Sequence, residues 1–305
     1  MSLLGRRGFT LVELMIAIVL LGIFSAGLYK VLLNNQRTFA AQTQRIDLQQ
    51  NIRAAASILP AEFREMDAGD SDIVAMDSAS ITFRAMRQLG FICLAPVLGA
   101  AGNITFTVRQ APMYGNRQTF TAGDSLLIYY EGNPASRSDD QWVRGGVVSS
   151  ANLNCPAPDN KPGFQLVVTM RPWPASAPNV VGAITSGSPL RRFDVVKYYV
   201  AQSGTDNFWY LTQQVNGATG QPLVGPLSGA TGLALTYYDS TGTTATADRT
   251  MVALIGIKVR ARTTQLIRQA NDAALAYKQD SITVQVAVRN NPRCGPRAIP
   301  PRTCN

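Results

Sequence analysis

Met1 to Ile23 reads MSLLGRRGFTLVELMIAIVLLGI. The basic pair Arg6-Arg7 comes first, then Gly8, and only then a long apolar run beginning at Phe9. A secretory signal places its small-residue cleavage site after the apolar region, so that the region is discarded. Here the candidate processing point, Gly8, precedes it, and cleavage there would leave the apolar segment on the mature chain. Between Phe9 and Leu33 the only charges are Glu13 and Lys30, and about 20 apolar residues suffice to cross a bilayer. The segment predicts a membrane anchor. A carboxylate in lipid is costly unless partnered, and an anchor alone gives no reason for Glu13.

The run GFTLVELMIAIVLLGI, with Gly8-Phe9 followed by Thr10 and Glu13, resembles the prepilin leader junction of the type IV pilin superfamily. The resemblance implies that a prepilin peptidase cuts between Gly8 and Phe9, removes the basic leader 1–8, and methylates the new amino terminus on Phe9. It also implies that Glu13 pairs with the N-terminal ammonium of a neighbouring subunit. That pairing is physically reasonable: a carboxylate in hydrocarbon seeks a cation, and this cation exists only after cleavage. The partners implied are major and minor pilins in a hetero-oligomeric filament, the inner-membrane assembly platform, and a tip adhesin.

Charge sets the orientation. Arg6 and Arg7 precede the segment, and positive residues stay cytoplasmic, so the remainder is expected to face outward into the periplasm. The four cysteines, Cys93, Cys155, Cys294 and Cys304, all lie beyond the anchor, and an exported compartment permits disulfides. Four cysteines allow three connectivities. Cys294 and Cys304 bracket a short loop containing Gly295, Pro296, Pro300 and Pro301, which favours a local staple, with Cys93 joined to Cys155. No C-x-x-C spacing and no histidine are present, which argues against a zinc site. Nothing calls for a cofactor. Without histidine, His-based triads are excluded, and the stretch Gly182–Gly187 lacks the lysine of a phosphate loop.

Net charge is +9, falling by two to +7 once Arg6 and Arg7 leave. Lys258, Arg260, Arg262 and Arg268 form one basic group, and Arg289, Arg293, Arg297 and Arg302 another. No aromatic ladder interleaves with them, so solvated strand faces and a soluble tail are expected rather than a nucleic-acid surface. Asp67, Asp70 and Asp72 lie close together, but their spacing does not fit a calcium loop. A solvated loop at the helix exit is expected.

Phe39, Ile46, Ile52, Leu59, Phe63 and Met66 recur at spacings compatible with one helical stripe, with Gln42, Gln44, Gln49 and Gln50 on a polar face. The helix should run from Phe9 towards Pro60, which ends or kinks it, giving a rod of roughly 75 Å. Beyond residue 78 the period becomes two. Alternation marks strands around 104–108, 196–200, 233–237, 255–259 and 282–288, with further candidates at Ser80–Arg84, Ser125–Tyr130, Phe164–Arg171 and Phe208–Gln213. Clusters such as Pro172–Pro178 and Gly217–Gly229 read as loops. The expected class is α+β: a long N-terminal helix laid on antiparallel sheet. The expected divisions are the leader 1–8, a membrane segment 9–33, an amphipathic continuation 34–66, and one exported β-rich domain 67–305, with no separate second domain.

Shorter matches narrow the resemblance. Gln50-Asn51-Ile52-Arg53-Ala54 with Glu62-Phe63-Arg64, the position of Cys93, and Thr283-Val284 with Val288-Arg289-Asn290 resemble PilW-type minor pilins. Gly232–Gly242, GLALTYYDSTG, resembles a strand of J-type pseudopilins of type II secretion. Glu13 argues against the K-type tip pseudopilin, which characteristically lacks it. Three readings follow: a structural minor pilin priming or capping a type IV pilus, a J-type pseudopilin, and a pilus-borne DNA receptor. None is an enzyme.

Overall fold

The computed structural model describes residues 10–99, 102–131, 135, 140–170, 180–268 and 274–288. Helix α1 runs from Leu11 to Arg64. It passes through Pro60 rather than ending there. Proline removes one backbone donor and crowds the preceding turn. Packing holds the last turn nevertheless: Leu59 and Phe63, on either side of Pro60, are fully buried.

Fifteen strands are found among the described residues. The first five are β1 (Ile73–Met76), β2 (Ser80–Leu98), β3 (Asn103–Arg109), β4 (Tyr114–Gly115) and β5 (Ser125–Tyr130). Next come β6 (Gln141–Asn152), β7 (Gly163–Met170), β8 (Pro189–Gln202), β9 (Trp209–Val215) and β10 (Gln221–Leu227). The last five are β11 (Leu233–Tyr238), β12 (Leu254–Arg262), β13 (Ile267–Arg268), β14 (Leu275–Ala276) and β15 (Gln279–Ala287). Nine of these are marked in the sequence, five of them by alternation, because residues that face inward recur at every second position.

Strand β2 organises the sheet. Its first part, Ser80 to Phe91, pairs with β8 along its whole length, and its second part, from Ile92, pairs with β3. The ladder then continues β3–β7–β6–β5 and returns to β8, where Ser125 to Ile128 pair with Leu190 to Phe193. Six strands therefore close a circuit, a barrel inserted between the near half of β2 and the far half of β8. Ile92, Phe106, Val108, Leu126, Ile128 and Leu166 are among the side chains that fill it. Closing a sheet removes its exposed edges.

On the other side of β2 and β8 the sheet runs β1–β2–β8–β9–β10–β12–β11, with β15 also on β12. The last turns of α1 pack on this part. Ile52, Ala55, Leu59 and Phe63 are buried at helical spacing, and Phe63 sits edge-on to Phe83 of β2 and Tyr198 of β8, with ring centroids 5.5 and 6.1 Å away. Asn51 Nδ2 donates to the Gly225 carbonyl at 2.7 Å. The long apolar N-terminal helix and the large antiparallel sheet make the fold α+β, as the sequence predicts.

Several details differ from expectation. Strand β10 lies within the stretch 217–229 read as loop. Pro222 and Pro226 gave that reading, but β10 meets β12 only at Leu227, so most of one edge needs no donor. Strand β6 also escaped notice because of Gly145-Gly146. Gly145 is required: a Cβ there would stand 2.3 Å from Val168 Cγ1 of β7. The acidic turn is not uniformly solvated, since Asp72 is 1% exposed. By contact, the described residues fall into two compact units, one within 51–261 and 281–305 and the other within 1–50 and 262–280.

Candidate functional site: the helix start and the helix-end clasp

The N-terminal motif enters the described structure at Thr10. Gly8, Phe9, Arg6 and Arg7 lie outside the described residues. Thr10 caps α1: its Oγ1 accepts from Glu13 N at 3.3 Å, and its carbonyl accepts from Leu14 N at 3.2 Å. Thr10 thus satisfies a donor that the first turn would otherwise leave open, with Glu13 three residues on as in a Ser/Thr-x-x-Glu pattern. Glu13, not buried within the chain, lies in that first turn, where the positive end of the helix dipole favours a carboxylate. The sequence pattern contained this cap, but it was hidden by the reading of Thr10 as part of the leader junction. Helix α1 is long and apolar enough over its first half to cross a membrane, and that part is not buried within the chain. A Cβ added at Gly22 or Gly27 would meet nothing within 4 Å.

At the other end of α1, charge fixes the helix to the sheet. The β2–β8 ladder pairs Met86 with Phe193 and Gln88 with Arg192, which leaves Arg87 as the extra residue of a β-bulge. A bulge re-aims its side chain. The Arg87 guanidinium takes Glu62 of α1 in a two-pronged grip, Nη1 to Oε1 at 3.2 Å and Nη2 to Oε2 at 3.0 Å. The bulge backbone is held by Asn116 N, which donates to the Arg87 carbonyl at 3.2 Å. Gly115 lies so close that a Cβ would fall 2.2 Å from that carbonyl oxygen.

From Arg87 the charges alternate onward. Its Nε stands 3.6 Å from Asp194 Oδ2, Arg192 bonds Asp194 at 3.1 Å and Asp124 at 2.9 Å, and Arg117 closes on Asp124. Asp124 and Arg192 are buried. Buried ions need partners on this scale, and each here has at least one of opposite sign. Nearby, Asp72 Oδ2 accepts from Asp67 N at 2.8 Å while Oδ1 has no hydrogen-bond partner. Burial pushes its pKa up to about 7, against the pull of the Asp67 amide and, more weakly, Arg84. Burial likewise lowers the Arg84 guanidinium to about 10, with Arg144 adding repulsion.

Cys93 of β2 and Cys155, which follows β6, form a disulfide. Cys294 and Cys304 lie outside the described residues, as do Arg289, Arg293, Arg297 and Arg302. Of the first basic group, Lys258, Arg260 and Arg262 are half-buried: Arg260 donates to the Thr231 carbonyl at 3.0 Å, and the Arg262 guanidinium stands 4.5 Å over the Tyr277 ring. Among the described residues, no group of three or more Cys, Asp or Glu side chains is arranged to hold a metal ion. The ion chain and the cap are structural contacts that join the helix end to the sheet and start the helix. Sequence reading missed the ion chain because its members are scattered along the sequence.

Residues 4–29 match the family model for the prokaryotic N-terminal methylation motif. Searches of curated proteins and of solved structures returned no significant match. The motif implies processing by a prepilin peptidase and assembly with other pilins in a membrane machinery, and with the apolar helix it supports a single-pass membrane anchor. Together with the antiparallel domain behind that helix, it supports a type IV pilin-like protein, a structural subunit of a family that is generally non-enzymatic.

Proposed function

We propose that the protein is a PilW-type minor pilin that primes a type IV pilus, or sits at its tip with sibling minor pilins and a tip adhesin. In this reading the leader 1–8 is removed at Gly8-Phe9, and Phe9 becomes a methylated N-terminus. Residues 9–33 anchor the subunit, and the domain faces the periplasm until the filament extracts it. Glu13 partners the ammonium of a neighbouring Phe9 and sets the register between subunits.

One observation carries the choice of a tip or priming role. The helix carries a large sheet with a six-stranded barrel inserted into it. Such bulk suits a position with no subunit above it better than repeated packing along a thin shaft. The residues of the PilW-like pattern lend support: Asn51, Glu62 and Phe63 each hold α1 to the sheet. The full-length protein should co-purify with minor pilins encoded beside it. Co-purification with secretion pseudopilins instead would favour the J-type alternative. Salt-sensitive DNA binding by the protein would favour the receptor reading.

A further inference from the structure

Three cation–ring contacts line one face of β8. The Arg191 guanidinium stands 4.2 Å over the Trp142 ring of β6, the Arg84 guanidinium 5.8 Å over Phe193, and Lys197 Nζ 5.1 Å over Tyr199. Side chains alternate along a strand, and Tyr198 faces α1, where it meets Phe63. Arg191, Phe193, Lys197 and Tyr199 therefore point to the opposite face. Register brings the others there: Arg84 pairs with Val195, and Leu127 pairs with both Arg191 and Arg144, two residues beyond Trp142. From Arg191 to Tyr199 the stripe is about 27 Å long.

The face is open, and its rings are held against the sheet. Arg191, Trp142, Lys197 and Tyr199 are half-buried and Arg144 is exposed, whereas Arg84 and Phe193 form a buried floor. Tyr210 of β9 pairs with Ala201 and so shares the face. Its hydroxyl donates to Asp206 Oδ2 at 2.6 Å. A Cβ at Gly225 would stand 2.4 Å from Tyr210 Cδ1, and one at Gly220 would stand 2.3 Å from the Tyr199 hydroxyl. Glycine at both positions lets the two rings lie flat.

Charge and shape select the ligand. Arg191 and Lys197 make no ion pair among the described residues, so their donors are open to a carboxylate from outside. Half-exposed tyrosine rings beside them match the apolar C–H face of a sugar ring, with hydroxyl groups at the rim. A densely charged polymer fits less well. Asp67 acts on Arg191, and Asp70 and Asp72 act on Arg84, at one end of the stripe. Single-stranded nucleic acid also needs ring faces on which its bases stack, and here a cation lies over three of the rings.

We propose that this face of β8 is a binding site for an acidic polysaccharide, a chain of sugar rings that carries carboxylates at intervals. The carboxylates meet Arg191 and Lys197, and Arg144 extends the cationic end. Tyr199 and Tyr210 take the sugar rings between them. The site goes beyond the assembly role and is independent of which filament the subunit joins.

The test presents full-length protein in phosphatidylcholine nanodiscs to immobilised polygalacturonate at low salt. Binding should weaken as salt is added and should exceed binding to dextran, oligothymidylate and polyglutamate. Arg191→Gln with Lys197→Gln should raise the half-saturating concentration about tenfold. Lys197→Arg keeps the charge and should bind as the wild type does. Lys161→Gln, an exposed cation of the loop after β6, should change binding by less than about twofold. The ranking of the four polymers uses the wild type alone and stands even where a variant misfolds. Absence of binding to polygalacturonate, or equal binding to dextran, overturns the proposal. Tighter binding of oligothymidylate also overturns it, since the face is then a nucleic-acid surface. Tighter binding of polyglutamate does so too and makes the face a contact for an acidic protein. An equal loss in Lys161→Gln shows the attraction to be general and likewise overturns the site.

Discussion

Arg87, the extra residue of a β-bulge in β2, holds Glu62 of α1 with both terminal nitrogens, at 3.0 and 3.2 Å. The bulge turns a position that would face along the ladder towards the helix, and Asp194 shares the same guanidinium. At this end of the helix an aromatic contact at Phe63 and an ionic clasp one residue before it act side by side, beyond the Asn51 hydrogen bond to Gly225.

Breaking the clasp should loosen this attachment. Arg87→Met leaves Glu62 and Asp194, both only partly exposed, without their shared cation. After discounting for solvent screening, the loss should be about 1–3 kcal/mol. A double-mutant cycle with Glu62→Gln, followed by denaturant unfolding in detergent, measures the pair term. Strict additivity would show that the two residues do not act together.

Stability should depend on pH through Asp72. Its carboxyl titrates near 7 when folded, chiefly because of burial, and near 3.8 when unfolded. The folded state therefore holds this proton more tightly. Stability from this group is present below about 4, declines as pH rises towards 7, and is fully lost above that. Asp72→Asn should be more stable than the wild type at pH 8, by up to a few kcal/mol, and the advantage should shrink towards pH 5. An offset that stays constant with pH would assign the effect to something other than this titration.

Removing the Cys93–Cys155 bond should matter more than removing a tail staple. The bond closes a loop with a sequence separation of 62, for which the chain-entropy model gives about 4 kcal/mol. Cys93→Ser with Cys155→Ser should lower stability accordingly. We expect Cys294 and Cys304 to pair with each other, at about 3 kcal/mol for so short a loop. Peptide mapping without reduction settles that pairing, and free thiols at both would remove it.

The sequence made some of this legible and concealed the rest for identifiable reasons. Strand β5 was read to the residue, since Asp124-Ser125 and Glu131 bound the run Leu126–Tyr130. The helix was read well because its buried residues recur at one spacing. The barrel was not foreseen. Gly145 in β6 and Pro222 in β10 look like loop punctuation, although one permits a close strand contact and the other sits on a mostly unpaired edge. The charges of the clasp come from α1, β2, β8 and a loop, so no local spacing links Glu62 to Arg87 or Asp124 to Arg192. The hairpin beyond β12 is two residues per strand, too short for alternation to register.

On the proposed reading the leader residues act in processing and Glu13 in assembly. Gly8→Val should yield an uncleaved but still anchored protein, because the apolar run from Phe9 is untouched. Mass analysis of the wild type should find a methylated Phe9 at the N-terminus. Glu13→Val removes a charge from lipid, so insertion should be unimpaired, while co-purification with sibling pilins should fall. Normal recovery of siblings with Glu13→Val would refute the pairing role.

The central claim is that this subunit starts or tips a pilus. It is tested most directly by counting pili on a deletion strain while quantifying the protein in sheared wild-type pili. The account predicts a sharp loss of pili without the gene, and a protein that is scarce relative to the major pilin and labelled at filament ends. Full piliation of the deletion strain, or uniform labelling along the shaft, would contradict it.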